Sequence, residues 1–351
     1  MAIKISIKDK REIEEDYFWV EKMKIAFFET EKWEEEYVKK QLKNNKLIFF
    51  HRPISKKDLK KIKDLEILCI FIYSRITKDI LSQLPNIKVI VTRSTGYDHI
   101  DVDECKKRKI IVTNIPSYGE NTVAEHAFAL ILALSRKIHL SYERTKKGNF
   151  SINGLRGTDV KGKTLGIIGL GKIGKHVAKI AQGFEMNVLA YDIFKDENFA
   201  KENKIRYVPL DYLLKHSDII TLHTNLNEKT FHLINEKNIN LIKKETLIIN
   251  TAPGGLIETG ALIKALENGN VGGAGLDVLE DEFMIKEESQ LLHKNSKKKL
   301  SFFKKLLRME NVIITPHNAF NSEEAVKRIL DTTLDNIICI MQNKECKNRV
   351  I

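Results

Sequence analysis

The chain has 351 residues, enough for two ordinary domains with sizeable cores. Hydrophobic residues make up 42%, which fits a globular protein and excludes an intrinsically disordered one. A net charge of +12 raises the question of a nucleic-acid partner. The lysines, however, are scattered among 47 acids, and the clusters at 146–147, 297–299 and 304–305 share no motif and no aromatic stacking pattern. A solvated basic surface, with no nucleic acid, is therefore the expectation.

No apolar run reaches the roughly 18 residues of a membrane span. The longest candidate, 127–134, follows Glu125 and His126. Residues 1–22 are charged throughout and read as a polar extension without signal architecture, so a cytoplasmic location is expected. Cys69, Cys105, Cys339 and Cys346 are widely spaced and form no CxxC, which suggests reduced thiols rather than a metal site or disulfide framework.

From Met23 the pattern changes. MKIAFFE is a short strand, followed by a charged helix over 32–44 and a second strand at 47–50. Apolar runs at 67–73 and 89–94, each preceded by a helical stretch, give a third and fourth strand, and 110–114 a fifth. Short apolar runs alternating with helices mean parallel strands joined by crossovers. One long amphipathic helix is expected from Asn121 to about Lys147, apolar on more than one face in its first half and so buried or dimer-forming. Further strands are expected at 206–208, 218–223, 246–251, 273–278 and 312–317, with a last helix over 322–342.

Between the two halves lies KTLGIIGLGKIGKHVAKIAQGFEMNVLAYD, residues 163–192. A strand runs into GLGKIG, a helix with apolar residues at helical spacing follows, and a second strand leads to Asp192. Gly169 permits the tight turn, Gly171 lets backbone approach a pyrophosphate, and Gly174 allows close helix–strand packing. The pyrophosphate would sit on free N–H groups at the helix N-terminus. Asp192 stands where a carboxylate accepts from a ribose 2′-hydroxyl and repels a 2′-phosphate, which favours NAD over NADP. This motif usually opens a chain. Its mid-chain place predicts an inserted NAD-binding Rossmann domain (120–317) within a discontinuous flavodoxin-like substrate domain (23–119 and 318–351). The fold class is α/β with two doubly wound parallel sheets, and substrate would bind between them.

Asp277, Glu282 and His317 fall at or near strand ends. Hydride transfer to a ketone needs a proton donor for the developing alkoxide. Histidine suits that task, and a nearby carboxylate would orient the ring. Spacing alone does not show that they meet, and a lone strand-end histidine is more often structural. With TRSTGYDHID, IPSYGENTVAEHAFAL, GLGKIG, INTAPGGLIETGALIKAL, GAGLDVLEDE and ITPHNAF in this order, the chain resembles the D-isomer-specific 2-hydroxyacid dehydrogenases from about Met23 to Asn343, and most of all their fermentative D-lactate dehydrogenase branch. Tyr118, the AEHA histidine, the insert between Glu282 and His317, and Phe320 fit that branch.

The resemblance implies an NAD-dependent enzyme, most simply one reducing pyruvate to D-lactate, that pairs as a homodimer through its NAD-binding domain. His317 matches the proton donor and Glu282 its paired carboxylate. Ser94, Thr95 and Gly96 match the loop whose N–H groups hold the substrate carboxylate. Tyr118 matches a hydroxyl reaching it, and Phe320 an apolar wall. Lys172, Ile173, Thr224, Asn225, Thr230, Thr251, Ala252 and Pro253 match cofactor-lining positions, and Asp277 the acid beside the nicotinamide.

One position departs sharply. The family's Asn-Thr-Ala-Arg-Gly is here Asn250, Thr251, Ala252, Pro253, Gly254. The arginine that grips substrate is replaced by a residue with no side-chain donor and no N–H. Arg93, beside the carboxylate loop, offers a guanidinium that could reach inward; the plainer reading makes it a surface arginine. Asn225, where the family usually has proline, is a milder departure. Pro253 also motivates a second reading, an NAD(H)-binding dimer with little activity that serves as a sensor or interaction protein.

Overall fold

The computed structural model describes residues 22–280 and 296–351. Glu282 and all but one residue of the N-terminal extension lie outside that range. The chain divides into two compact units, 1–118 with 323–351, and 119–322.

The first unit carries five parallel strands: β1 Lys24–Phe28, β2 Lys46–Phe50, β3 Ile67–Ile70, β4 Val89–Thr92 and β5 Ile111–Thr113, in the order β2-β1-β3-β4-β5. Successive side chains in a strand point to opposite faces. Ala26, Phe28, Leu68, Ile70, Ile90 and Val112 accordingly pack into one core. Ile25, Phe27, Ile67, Cys69, Val89 and Val91 pack into another. Both faces are covered, so the strands read as unbroken apolar runs rather than alternating ones. The last helix, Glu323–Met341, brings Leu330, Leu334 and Ile337 to the second core. The charged helix ends at Gln41, and the helix expected before β3 is only a 3₁₀ turn, Leu59–Lys61.

The second unit holds β6 Thr164–Ile168, β7 Asn187–Tyr191, β8 Arg206–Tyr207, β9 Ile219–Leu222, β10 Thr246–Asn250, β11 Val271–Leu276 and β12 Val312–Ile314. Their order is β12-β11-β10-β9-β6-β7-β8, all parallel, with the direction of winding reversing between β6 and β9. Ligands of such sheets bind outside the carboxyl ends of the strands at this switch point.

The long helix expected over 121–147 is two helices, Glu120–Ser135 and Ile138–Lys146. Lys137 adopts a left-handed conformation (φ 51°) and breaks the hydrogen-bond ladder between them. The first helix buries Ala124, Ala127, Phe128, Leu130, Ile131 and Leu134 in its own unit's core, so its broad apolar surface is consumed by packing. Among the described residues no helix is long and apolar enough to cross a membrane.

Candidate active site

The glycine-rich loop follows β6 at the switch point. Gly169 has φ +94°, and a Cβ there would lie 2.6 Å from the His223 carbonyl oxygen. At Gly174 a Cβ would lie 2.1 Å from Gly169 O, so helix and loop pack with no room for a side chain. Gly171 is the reverse case: a Cβ would meet nothing within 4 Å. It precedes the helix Lys172–Gly183, whose N-cap has no side-chain partner and whose first turn carries no acid. The first N–H groups of a helix have no acceptor within it. Open space therefore adjoins an uncapped positive helix end, the arrangement a pyrophosphate needs. Lys172 Nζ lies 3.5 Å from Glu120 Oε1, and Ile173 packs partly buried against the core.

Asp192 follows β7. One of its oxygens accepts from Leu170 N–H (2.7 Å) and the other from Phe194 N–H (2.9 Å). The same carboxylate thus pins the glycine loop and stands at its edge. In the loop after β9, Thr224 and Asn225 lead to Thr230, whose Oγ1 donates to Asn225 O (2.7 Å) and accepts from Asn227 N–H (2.8 Å). After β10, Ala252 N–H donates to Asn250 Oδ1 (3.1 Å). Two buried polar atoms at these strand ends lack a partner, His223 Nδ1 and Thr251 Oγ1. Such orphans are costly in a finished fold, and both belong to strand ends at the switch point, where a bound dinucleotide would lie. His223 Nε2 is 2.8 Å from Thr221 Oγ1, and burial pushes the ring down to about 3, so it is neutral. The residues fit NAD.

Pro253 is exposed, with φ −52° and ψ 137°, and opens the 3₁₀ turn Gly254–Leu256. Pro253 itself brings no side-chain donor to the position where the family has its arginine. Arg93 does not supply one. It is 3% exposed, with Nη1 on Glu34 Oε1 at 2.9 Å and Nη2 on the carbonyls of Phe28 (2.9 Å) and Glu29 (2.5 Å). Both of its Nη atoms are committed inside the first unit, and it is not a surface residue either. A charge buried this deeply must be paired, and leaving its partner would strand Glu34.

Asp277, just past β11, is 1% exposed. It accepts from Asn318 N–H (2.7 Å), Ala319 N–H (2.9 Å) and the Thr315 hydroxyl. His126 Nε2, from the helix Glu120–Ser135, lies 3.1 Å from Thr315 Oγ1 and 3.4 Å from Asp277 Oδ1. Burial alone would raise the Asp277 pKa, but these bonds outweigh it and hold the carboxyl below its usual range. His317 sits at the centre of this hairpin of contacts. Its N–H donates to Asp277 O (2.9 Å) and its backbone is left-handed (φ 55°). A non-glycine residue in that region is held there by its surroundings, and here Asp277 grips both sides of it. Phe320, partly buried, ends the same turn. Strand-end position marks Asp277 and His317 in the sequence, but nothing there reports the clamp. The AEHA histidine served there only as a family marker, because no pattern of spacing ties residue 126 to residues 277 and 315.

In the first unit, Ser94 to Gly96 follow β4. Ser94 Oγ donates to Gly96 O (2.7 Å) and lies 2.7 Å from Thr92 Oγ1, which lies 3.0 Å from His99 Nε2. The carbonyl can only accept, so donation runs from His99 through Thr92 and Ser94 to Gly96. Thr95 Oγ1 donates to Ile115 O (2.8 Å). Among the described residues the N–H groups of Ser94, Thr95 and Gly96 have no hydrogen-bond partner, so this stiffened loop offers three donors to an anion. Tyr118 is half-buried, and its carbonyl accepts from Arg328 Nε.

A dinucleotide sheet with a strand-end histidine gripped by a buried acid defines an NAD-dependent oxidoreductase. Residues 128–319 match the NAD binding domain of the D-isomer specific 2-hydroxyacid dehydrogenases. The chain is 34% identical to D-lactate dehydrogenase of Escherichia coli over 94% of this chain and 100% of that one. It is 34% identical to a glyoxylate reductase of Korarchaeum cryptofilum over 85% and 86%. A D-lactate dehydrogenase structure from Aquifex aeolicus, solved with NAD and lactic acid, superposes with a TM-score of 0.83 at 37% identity, covering 93% of this chain and 98% of that one. The chain belongs to the D-isomer-specific 2-hydroxyacid dehydrogenase family, acts on the CH–OH group of a 2-hydroxyacid, and uses NAD.

Proposed function

We propose that this protein reduces a small 2-keto acid, with pyruvate to D-lactate as the leading case, and that it does so without the family's arginine. The observation that carries the reading is the clamp on His317: the residue matched to the proton donor is held in a left-handed turn by a buried acid. When bound, the reduced cofactor supplies the hydride. His317 gives its proton to the keto oxygen, and Glu282 is its proposed carboxylate partner. The free N–H groups of Ser94, Thr95 and Gly96, with the Tyr118 hydroxyl, hold the carboxylate. Phe320 limits the side chain.

Loss of one preorganised donor costs roughly 2.7–4 kcal/mol, on the order of 10²–10³ in rate. Pro253→Arg is therefore the informative variant. The site is exposed and its φ of −52° suits any residue, so the variant should fold. NADH oxidation with pyruvate, glyoxylate and hydroxypyruvate is expected to be slow in the natural chain and at least about tenfold faster in the variant. If neither turns over any 2-keto acid while both bind NADH, the dehydrogenase reading fails. The second reading, an NAD(H)-binding protein with little turnover, then stands, and Pro253 is the observation that favours it.

The chain is also proposed to pair through its second unit. Ile138, Tyr142, Phe150 and Ile152 are exposed close together in sequence, Phe150 and Ile152 by 80% and 82%. Apolar side chains so bare are characteristic of a contact surface. Four free cysteines fit a reducing, cytoplasmic compartment.

A further inference from the structure

Cys339 and Cys346 lie seven residues apart, a spacing that suggests nothing in sequence, yet the fold brings them together. The last helix closes with Asn343 in the left-handed conformation (φ 52°). Asn343 N–H donates to Ile340 O (3.0 Å) and Lys344 N–H to Cys339 O (2.9 Å). This paired closure reverses the chain over the helix end. Glu345 O then accepts from Cys339 Sγ at 3.1 Å, and Cys346 follows directly. Cys346 Sγ lies 3.3 Å from Asn336 Oδ1, one turn back on the same helix face as Cys339. Burial pushes the Cys346 thiol up, and the neighbouring Cys339 thiol adds to the effect.

We propose that Cys339 and Cys346 form a peroxide-oxidisable dithiol whose state is relayed through Asn336 and Asn114 to the Thr95 loop. The relay is a continuous chain of hydrogen bonds within one unit. Asn336 Oδ1 accepts from Cys346 Sγ and from Asn348 Nδ2 (2.9 Å), while Asn336 Nδ2 donates to Asn114 O (3.0 Å). Asn114 N–H donates to Asn348 O (3.2 Å), and Asn114 Nδ2 donates to Thr95 O (2.8 Å). Cys339, the more accessible thiol, reacts first. Its sulfur takes one oxygen from hydrogen peroxide, giving a sulfenic acid and one water. The Cys346 sulfur then attacks the Cys339 sulfur; the S–S bond forms, the S–O bond breaks, and the hydroxide leaves with the Cys346 proton as a second water. Two electrons pass from two thiols to the peroxide. Joining the sulfurs draws Cys346 off Asn336 Oδ1, and the carboxamide that spans the helix, the tail and Asn114 resets.

The relay's effect on substrate rests on the role proposed above for Thr95; formation of the disulfide does not. Trypsin cleaves after Arg328, Lys344 and Lys347, so the two cysteines leave on separate peptides, 329–344 and 345–347. After treatment of the whole protein with hydrogen peroxide, the unreduced digest should contain the two joined, lighter than their sum by two hydrogen atoms. Cys339→Ser and Cys346→Ser should each abolish that species. With pyruvate as substrate, oxidation should raise KM about threefold or more, leave NADH affinity unchanged, and reverse with dithiothreitol. A Cys339 oxidised alone, with Cys346 still free, overturns the dithiol. A disulfide that leaves KM unmoved overturns the relay. A protein with no turnover to measure overturns the substrate role of Thr95, while the joined peptide would still establish the dithiol.

Discussion

Glycine 174 shows how one missing methyl group can decide a binding site. Its hypothetical Cβ falls 2.1 Å from Gly169 O and 3.1 Å from Gly169 C, both backbone atoms that cannot swing aside. Gly174→Ala should cost about 1–3 kcal/mol. It should also move the helix end enough to weaken NADH binding, read by fluorescence titration beside urea unfolding; unchanged affinity would remove close packing from the account. Histidines 223 and 99 supply a pH signature. Burial lowers both, to about 3 and about 4. Between those values and the ordinary value of 6.5, the unfolded chain binds protons that the folded chain refuses. Their contribution is present above pH 6.5 and is lost as pH falls through that window toward 3. Urea midpoints should decline over this range, and His223→Asn should flatten the decline. The turn at Gly169 and the close packing at Gly174 were legible in the sequence because glycines at fixed spacing leave local traces. Arg93 was not. Its partners, Glu34 and the carbonyls at 28 and 29, lie about sixty residues away, and nothing local reports them.

The helix Glu120–Ser135 supplies Ala124, Ala127, Phe128, Leu130, Ile131 and Leu134 to one of the second unit's cores. Leu130 and Leu134 press against Gly275 of β11, where an added Cβ would find Leu130 Cβ at 3.0 Å, Ile249 Cδ1 at 3.1 Å and Leu134 Cδ1 at 3.3 Å. Gly275→Ala should lower stability by about 1 kcal/mol without abolishing cofactor binding, and Gly275→Val by more. A denaturation series should show that order. This helix also delivers His126 to Thr315 and Asp277. If the clamp orients the proton donor, His126→Ala should lower kcat for keto-acid reduction by roughly tenfold while KM for NADH holds. Equal loss in both would make His126 a folding residue only. Strand runs were readable because both sheet faces are covered and the apolar runs are continuous. Helix ends were less so. The break at Lys137 is a backbone event at a residue with no special propensity, and the pattern of apolar residues carries across it.

At the scale of the whole molecule, winding order follows from the sequence more readily than assembly does. Alternating runs and a mid-chain glycine loop imply two parallel sheets, and both are found. Pairing of subunits has no such signature beyond bare apolar side chains. Sedimentation should show a dimer, and Phe150→Asp with Ile152→Asp should shift it to monomer with NADH binding retained. A monomeric natural chain would refute the pairing.

The last helix has a consequence for how the protein is made. Leu330, Leu334 and Ile337 cover Ile25, Phe27, Cys69 and Val91, but some 200 residues of the second unit are synthesised between them. At about 5–20 residues per second, one face of the first sheet leaves the ribosome about 10–40 s before its cover exists. The inserted unit has all its strands by then and can fold in the interval. The nascent chain thus carries a finished cofactor unit beside an apolar sheet waiting for its lid, and a chaperone would find its binding surface at residues 25–91 during that interval.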